Sequence, residues 1–196
     1  MEQSPCVILG SSSRTRHQLL SRLRIPFTTM SPDIDESSQK NEDAAHLAKR
    51  LAHAKADAIL ARIDTDIPLI TSDQVMLLNE QILGKPRDEN DAVNIIHRCS
   101  GQCAAFFTHV VVTDPSTRQQ LSHLEKTVVQ YRSYSRRTAE QYVKIEQPLR
   151  AAGAIHCEGL GISLLERINS NDPTALLGLP LIKLSAMLRE MGVDIL

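Results

Sequence analysis

Four extended segments of this chain are followed by polar residues that could do chemistry. In open α/β sheets, ligands bind beyond the carboxyl ends of the strands, where such residues collect. The polar segments are Ser11-Ser12-Ser13-Arg14-Thr15-Arg16, Asp33-Ile34-Asp35-Glu36, Ser72-Asp73-Gln74 and Gly84-Lys85-Pro86. Hydroxyls, cations and carboxylates delivered to one edge of a sheet suit an anionic, metal-bound substrate. The pattern therefore favours a hydrolase of nucleotide phosphates.

The serine-rich segment has the composition of a phosphate-binding turn. Hydroxyls and backbone amides at a strand-to-helix turn can donate to phosphate oxygens, and the helix N-terminus adds partial positive charge. Arg16 supplies a guanidinium fork that matches phosphate geometry. The alternative is a capped helix with a solvated arginine, and this segment alone leaves both interpretations open.

Asp73 is the acid whose position most favours catalysis. We expect it at the end of a buried strand, where a carboxylate is costly unless it is paired or binds a metal. It could ligate a metal, act as a general base for a hydrolytic water, or simply cap a helix. Asp35 and Glu36 could complete a metal site, because paired carboxylates repel each other unless a cation lies between them.

Lys55 and Lys85 are candidate charge clamps. Lys55 lies on a long predicted helix, and Lys85 lies in a turn bounded by glycine and proline. Either lysine taken alone is more often a surface residue. Together with Arg16 they could neutralise a triphosphate while Mg²⁺ or Mn²⁺ bridges its oxygens.

Composition argues against several other classes of protein. The net charge of -1 and the scarcity of aromatic residues, with three Phe, three Tyr and no Trp, disfavour binding of a nucleic acid polymer. No signal peptide or long apolar run is evident, so we expect no membrane association and a cytoplasmic location. The four cysteines are expected to be reduced, structural thiols. The nucleotide-binding motif G-x-x-x-x-G-K-[ST] and the hydrolase motif G-x-S-x-G are both absent.

The elements that must position these residues alternate between strands and helices. Apolar and β-branched runs predict strands at 5–10, 26–31, 67–71, 75–83 (a hairpin), 103–113 and 121–132. Helical spacing and capping residues predict helices at 14–24, 42–62, 88–98, 138–147 and 181–191. Residues 150–170 give no clear pattern, and Asp172-Pro173 resembles a helix start. We therefore expect a mixed, twisted α/β sheet flanked by helices, as one large domain or two small lobes around a cleft.

Taken in order along nearly the whole chain, these segments resemble the motifs of the Maf-like nucleoside triphosphate pyrophosphatases. No single motif is specific, but the ordered series is. The matching segments are 11–20 for S-x-S-P-x-R-x-x-L-L, 35–36 for D-E, 51–56 for L-A-x-x-K-A, 72–74 for S/A-D-Q/T, 84–86 for G-K-P, 100–101 for S-G and 178–180 for G-L-P.

The resemblance implies hydrolysis of a nucleoside triphosphate to the monophosphate and pyrophosphate, with Mg²⁺ or Mn²⁺ as cofactor. It implies one domain over 1–196 with an inosine triphosphate pyrophosphatase-like α/β fold, two lobes around a central cleft, in a family whose members are often homodimers. By motif position, Asp73 is the implied base and metal-site acid, and Glu36 a metal ligand. The implied phosphate contacts are Ser11, Ser13, Arg16, Lys55 and Lys85.

Three further positions bear on the base of the nucleotide. Gln74 and the sequence C-E-G-L-G at 157–161 resemble the branch that acts on 7-methyl-GTP, in which a Glu, here Glu158, replaces a Gln. A carboxylate can accept hydrogen bonds from N1–H and the exocyclic amine of the cationic methylated guanine, and Gln74 can bond the base or ribose. Thr15 departs from the branch, which often has Trp there, and Arg14 departs from the family's Pro, which makes the turn less rigid. A pyrophosphatase of dTTP- or UTP-type substrates and a non-catalytic, division-linked nucleotide-binding regulator remain alternatives.

Overall fold

The computed structural model describes residues 4–196, and the predicted mixed α/β class is confirmed. The strands in that range are β1 Val7–Gly10, β2 Phe27–Thr29, β3 Leu69–Leu78, β4 Gln81–Leu83, β5 Cys103–Thr113, β6 Gln120–Tyr131 and β7 Leu165–Asn169. The α-helices are α1 Arg14–Ser21, α2 Ala44–Leu60, α3 Glu89–Cys99, α4 Arg136–Glu146 and α5 Leu181–Glu190. The sheet order is β2-β1-β3-β5-β6-β7, with β4 pairing with β3. β1 runs parallel to β2 and β3, whereas the β3–β4 and β6–β7 pairs are antiparallel.

The chain divides into two compact units that are interleaved in sequence. Of the described residues, the first unit comprises 4–73, Thr108–Glu125 and Asp172–Leu196. The second comprises Gln74–Phe107 and Lys126–Asn171. The single Maf-like domain and the central cleft stay predictions.

In the first unit, β1 is buried on both faces. Val7 and Leu9 join an apolar cluster with leucines of α1 and α5, and Ile8 joins a second cluster with residues of α2. Alternate side chains of a strand point to opposite faces, so helices must cover this sheet on both sides. A strand buried in this way has a continuous apolar sequence, which explains the uninterrupted run at its position.

Gly10 ends β1 at a point of close approach between the strand, its neighbour β3 and α2. A Cβ at this position would lie 2.6 Å from Ile59 Cδ1 and 2.7 Å from Thr71 Cγ2. Any side chain here would push the three elements apart. The glycine therefore fixes where the serine-rich turn leaves the sheet.

Capping residues set most helix boundaries as the sequence predicts, with two corrections. Asp43 accepts from the His46 amide at the start of α2, and α4 begins at Arg136, before the predicted residue 138, because Ser135 is its cap. The helix predicted after Asp172-Pro173 is wrong, since only a short 3₁₀ turn at 175–177 follows before α5. β7 was not predicted, because its residues are mostly exposed and show no apolar alternation.

In the second unit α3 packs against α4, and the sheet residues Phe106 and Tyr131 are buried. Tyr134 Oη donates to the carbonyl of Ile96 at 2.7 Å, which joins the end of α3 to the segment before α4. Gly153, at φ +65°, packs directly on Met76, whose Sδ would lie only 1.9 Å from an added Cβ. The second unit therefore has a core of its own.

The four cysteines, Cys6, Cys99, Cys103 and Cys157, are all free, as expected of reduced thiols. Burial raises the pKa of Cys99 and of Cys157 to about 12, so neither is a ready thiolate at neutral pH. Across residues 4–196 no helix is both long enough and apolar enough to cross a membrane.

His109 on β5 is a buried histidine with unsatisfied polar atoms. Its exposed fraction is 4%, and among the described residues neither ring nitrogen has a hydrogen-bond partner. The ring of His53 on α2 lies 5.4 Å away between centroids. Burial, and after it the electrostatic effect of His53, Lys49 and His123, lowers the pKa of His109 to about 4. The native protein therefore holds this imidazole neutral.

Acid is expected to destabilise the protein through His109. Between pH 6.5 and pH 4 the imidazole of His109 is protonated in the unfolded chain but stays neutral in the native protein. The free energy of unfolding therefore falls as pH falls through that window. The loss is about 2 to 3 kcal/mol. Urea unfolding across this range should show a flatter pH profile for His109→Leu than for the wild type, while the exposed His97→Leu keeps the wild-type profile. An unchanged profile in His109→Leu would contradict this account.

Candidate active site

Asp73 lies within a long strand, and the prediction that it follows a strand end is wrong. β3 runs without interruption through Ser72, Asp73 and Gln74 to Leu78, because Val75 and Met76 continue the extended, buried pattern. Its burial in mid-strand requires a partner for the carboxylate. That partner comes from α2, which packs on the same face of β3.

Two contacts hold α2 on this face of the strand. Thr71 Oγ1 donates to the carbonyl of Ala52 at 2.8 Å, and Lys55 Nζ donates to Asp73 Oδ1. Residues two apart on a strand share a face, and residues three apart on a helix are neighbours. The Thr71–Ala52 hydrogen bond therefore positions the helix turn that delivers Lys55 to Asp73.

Lys55 is a buried ammonium shared by two carboxylates. Its side chain is 5% exposed, and besides Asp73 it contacts Glu36 Oε1 at 2.7 Å. Asp73 is almost as buried, with 8% of its side chain exposed, whereas Glu36 is 37% exposed. The predicted convergence of Glu36, Lys55 and Asp73 is therefore observed, with Lys55 between the two acids.

The loop that carries Glu36 is held to α2 by Arg50. The guanidinium of Arg50 donates to both carboxylate oxygens of Glu42, at 2.7 and 2.8 Å, and to the carbonyl of Ser37 at 2.9 Å. Asp35 accepts from the amide and the hydroxyl of Ser37, so it shapes the turn. The ion pair between Arg50 and Glu42 was not predicted from the sequence. The two residues are eight apart, whereas ion pairs on a helix are recognised from a spacing of three or four residues.

The two acids of the D-E motif thus differ in their contacts. The Ser37 hydrogen bonds lower the pKa of Asp35, which is the turn-forming residue. Glu36 is the acid that reaches Lys55. Of the two carboxylates considered for the site, the structure brings only Glu36 into contact with this lysine.

The serine-rich segment forms a tight turn and a helix cap. Ser13 Oγ accepts from the Arg16 amide at 3.3 Å, and Ser11 Oγ accepts from the Ser13 amide at 3.1 Å. These contacts match the capped-helix interpretation, but a hydroxyl that accepts still has a hydrogen to donate. Thr15 lies in the first turn of α1 and is partly buried. Contact of Ser11, Ser13 and Thr15 with a nucleotide stays a prediction.

Arg16 adds a second cation beside the two acids. Burial lowers its pKa, while the negative charges of Asp73 and Glu36 oppose that shift. In the same way, burial raises the pKa of Asp73 above its ordinary value, against the opposing charges of Lys55 and Arg16. A carboxyl with a raised pKa is a stronger proton acceptor when ionised, which suits a general base.

The carboxylate oxygens of Asp73 and Glu36 beside Lys55 are suitable ligands for a hard divalent cation such as Mg²⁺. The Lys55 ammonium already touches Asp73 and Glu36, so both carboxylates can share one positive centre. Among residues 4–196 no cluster of three or more His, Cys, Asp or Glu side chains could hold a metal alone. Mg²⁺ is commonly held by one or two carboxylates together with substrate phosphates and waters. Asp73 and Glu36 match that pattern.

The other predicted site residues belong to the second unit. Gln74 is half-buried on β3, Lys85 is exposed after β4, and Glu158 is exposed in a turn after α4. The backbone ties two of these segments together, because the Gly153 amide donates to the Gly84 carbonyl at 3.1 Å. Their predicted roles in phosphate and base recognition stay predictions.

The turn that presents Glu158 is shaped by two glycines. A Cβ on Gly159 would lie 2.6 Å from Glu146 Oε1, and one on Gly161 would lie 2.5 Å from the His156 carbonyl oxygen. Tyr142 Oη on α4 accepts from the His156 amide at 2.8 Å. The C-E-G-L-G sequence is therefore a tight turn fixed against α4, with its acid directed to the surface.

Comparison with known proteins gives consistent matches along the chain. The model of the Maf-like protein family matches residues 6–191. The chain is 42% identical over 194 residues to the 7-methyl-GTP pyrophosphatase of Bordetella avium, an alignment that covers 99% of this chain and 97% of that protein. It is 43% identical over 188 residues to the 7-methyl-GTP pyrophosphatase of Chromohalobacter salexigens, covering 96% and 97% respectively.

Among solved structures, the Staphylococcus aureus Ham1 protein is a distant match, with a TM-score of 0.42 and 10% identity over 64% of this chain and 71% of that chain. That similarity is too low to bear on the site. The family match instead runs through nearly every element described above, including the segments that carry Arg16, Lys55 and Asp73. The chain belongs to the Maf-like protein family.

Proposed function

We propose that this protein hydrolyses a nucleoside triphosphate to the nucleoside monophosphate and pyrophosphate. The observation that carries the proposal is the buried Lys55 ammonium held between Asp73 and Glu36. Burying the charges of Lys55 and Asp73 is costly, and such sites are typical of catalysis. The names of the relatives in Bordetella avium and Chromohalobacter salexigens support the same activity.

In the proposed reaction, Asp73 accepts a proton from a water that attacks the α-phosphorus. Its raised pKa favours that transfer. Pyrophosphate leaves as the bond between the α-phosphorus and its bridging oxygen breaks. Lys55 and Arg16 orient the phosphate oxygens and stabilise the charge that develops on them.

A divalent cation is proposed as the cofactor, held by Asp73 and Glu36. The two cations Arg16 and Lys55 and these two carboxylates cancel in formal charge, so the group has no surplus positive charge to attract a polyanion. A bound Mg²⁺ or Mn²⁺ would supply that charge and polarise the phosphoryl oxygens. Loss of turnover on chelation, with recovery on adding either ion, would support the proposal.

The proposed substrate is 7-methyl-GTP, and Glu158 is its proposed selector. The relatives named above support this preference, and the exposed carboxylate of Glu158 suits the donors of a cationic purine. Gln74 is proposed to bond the base or ribose. Because Thr15 cannot stack on a base, we expect selectivity to depend mainly on Glu158.

Glu158→Gln is expected to reduce the preference for 7-methyl-GTP over GTP. GTP has the same N1–H and exocyclic amine donors, so the preference depends on the attraction between the Glu158 carboxylate and the positive charge of the methylated base, and the ratio of kcat/KM for 7-methyl-GTP to that for GTP should fall about tenfold when the carboxylate charge is removed. Turnover of 7-methyl-GTP, GTP, dTTP and UTP should be compared for the wild type, Glu158→Gln and Glu166→Gln, an exposed acid on β7. An unchanged ranking in Glu158→Gln would remove this residue as selector.

A turnover panel also separates the enzyme from a nucleotide sensor. Release of pyrophosphate, measured as phosphate after adding an inorganic pyrophosphatase, is expected for at least one nucleotide in the panel. Binding of nucleotide without any release of pyrophosphate would favour the regulator.

We further propose a cytoplasmic location, which the four free cysteines support.

A further inference from the structure

The carbonyl of Gly178 accepts two hydrogen bonds from distant parts of the first unit. Arg16 Nε on α1 donates to it at 2.9 Å, and Ser72 Oγ on β3 donates to it at 2.9 Å. Ser72 is fully buried and immediately precedes Asp73. One backbone oxygen therefore links the arginine to the strand that carries the acid.

The backbone at this position requires glycine for two reasons. Gly178 has φ +97°, in the left-handed region that other residues adopt only with strain. A Cβ would also lie 3.1 Å from Arg16 Nε and 3.5 Å from one of its terminal nitrogens. A side chain would therefore press on the guanidinium itself.

The loop that carries this carbonyl is fixed by a buried acid. Asp172 is 1% exposed, and its carboxylate accepts from the Thr174 amide at 2.9 Å and from the Ile182 amide at 2.7 Å. Thr174 Oγ1 donates to the Leu179 carbonyl at 2.8 Å. These bonds hold both ends of the turn around Gly178, so its carbonyl cannot easily move.

An arginine at this place has a strong alternative partner. The negative charges of Asp73 and Glu36 both act on Arg16, and an ion pair with either would use the donors that a phosphate needs. A hydrogen bond from Nε to a fixed carbonyl sets the plane of the guanidinium and leaves its terminal amino groups to donate elsewhere.

We propose that the Gly178 carbonyl is a positioning group that holds the Arg16 guanidinium away from the site carboxylates and directs its terminal amino groups to the triphosphate. Asp172 and Ser72 support it by fixing that carbonyl. This inference rests on the proposed function. It assigns to the G-L-P segment a role in orienting an arginine 162 residues away.

The test compares Gly178→Ala with a matched glycine control. Gly192 has φ +79° and nothing within 4 Å of an added Cβ, so Gly192→Ala adds backbone strain without a contact. We expect kcat/KM for the best nucleotide to fall about 30-fold or more in Gly178→Ala and to change less than about threefold in Gly192→Ala. The thermal midpoint should fall in both variants, and by more in Gly178→Ala, which adds the contact with Arg16 to the strain.

A double-mutant cycle then separates positioning from a general structural effect. Arg16→Ala should lower kcat/KM about 100-fold in the wild type and in Gly192→Ala, but less than about tenfold in Gly178→Ala, where the arginine is already displaced. Ser72→Ala is a milder second variant, and it should also reduce the penalty of Arg16→Ala.

Equal penalties for Arg16→Ala in the wild type, Gly178→Ala and Ser72→Ala would overturn the proposal. If Gly178→Ala does not fold, the Ser72→Ala cycle decides alone. Failure of the proposed function is a separate result, because the wild type would then release no pyrophosphate from any nucleotide. A wild-type enzyme that is active and shows additive cycles would leave the function intact and refute the positioning role.

Discussion

Asp73→Asn is expected to lower kcat for pyrophosphate release by about 10³-fold. Loss of a general base typically costs about 10² to 10⁴ in rate, and Asp73 is also a proposed metal ligand. Asparagine has the same shape, its amide oxygen can still accept from Lys55, and Lys55 keeps its ion pair with Glu36, so the strand should fold with a loss of stability smaller than that of removing the lysine. Steady-state release of pyrophosphate and thermal unfolding, measured together, check both parts.

Asp57→Asn is the matched control for this substitution. Asp57 is an exposed acid on α2, two residues from Lys55, and its replacement should leave kcat within about twofold of the wild type. Wild-type turnover in Asp73→Asn would rule out the assigned role. A folded Asp73→Asn with no turnover, beside an active Asp57→Asn, is the expected pair of results.

The pH profile gives a second readout of the same residue. The base must be ionised, and burial raises the pKa of Asp73 above 3.8, so kcat should fall as pH drops through that raised value. Residual turnover of Asp73→Asn should lack this acid limb. If kcat of Asp73→Asn still fell at low pH as in the wild type, the fall would belong to a titratable group other than Asp73.

Lys55→Met is expected to cost both activity and stability. Methionine matches the length of the lysine stem but leaves Asp73 and Glu36 facing each other without their shared cation. Breaking a buried ion pair by removing one partner costs about 3 kcal/mol. Loss of a charge clamp on the phosphates should lower kcat/KM by about 100-fold or more. Urea unfolding and pyrophosphate release measure the two effects.

Two further variants separate these effects. Lys49→Met removes an exposed lysine from the same helix and should leave turnover unchanged. Adding Asp73→Asn to Lys55→Met removes the unpaired buried carboxylate, so the double variant should regain part of the stability without regaining activity. Stability that does not improve in the double variant would contradict a charge-pair origin of the loss.

Elements fixed by local chemistry could be predicted from the sequence. The continuous apolar run identified β1, because a strand buried on both faces has no polar positions. The first three helices start within two residues of the predicted positions, where the side chains of Ser13, Asp43 and Asp88 cap the amides that follow. The ordered motifs also identified Glu36, Lys55 and Asp73 as one group, although their spacing in the chain contains no such information.

What the sequence could not give depends on contacts between distant segments. The position of Asp73 inside β3 was missed, because a buried mid-strand carboxylate is tolerable only once Lys55 is known to pair with it. The proposed role of the Gly178 carbonyl could not be predicted either. Every residue has a backbone carbonyl, so the sequence does not indicate which one accepts from Arg16. β7 could not be predicted, because the residues of this edge strand are mostly exposed and show no alternation of apolar and polar side chains.

The most direct test of the central claim is the fate of solvent oxygen. The wild-type enzyme should hydrolyse 7-methyl-GTP in water labelled with heavy oxygen, and mass spectrometry should locate the label. Attack at the α-phosphorus beside Asp73 predicts one labelled oxygen in the nucleoside monophosphate and none in the pyrophosphate. Label in pyrophosphate or in inorganic phosphate, or no product at all from any nucleotide tested, would contradict the mechanism.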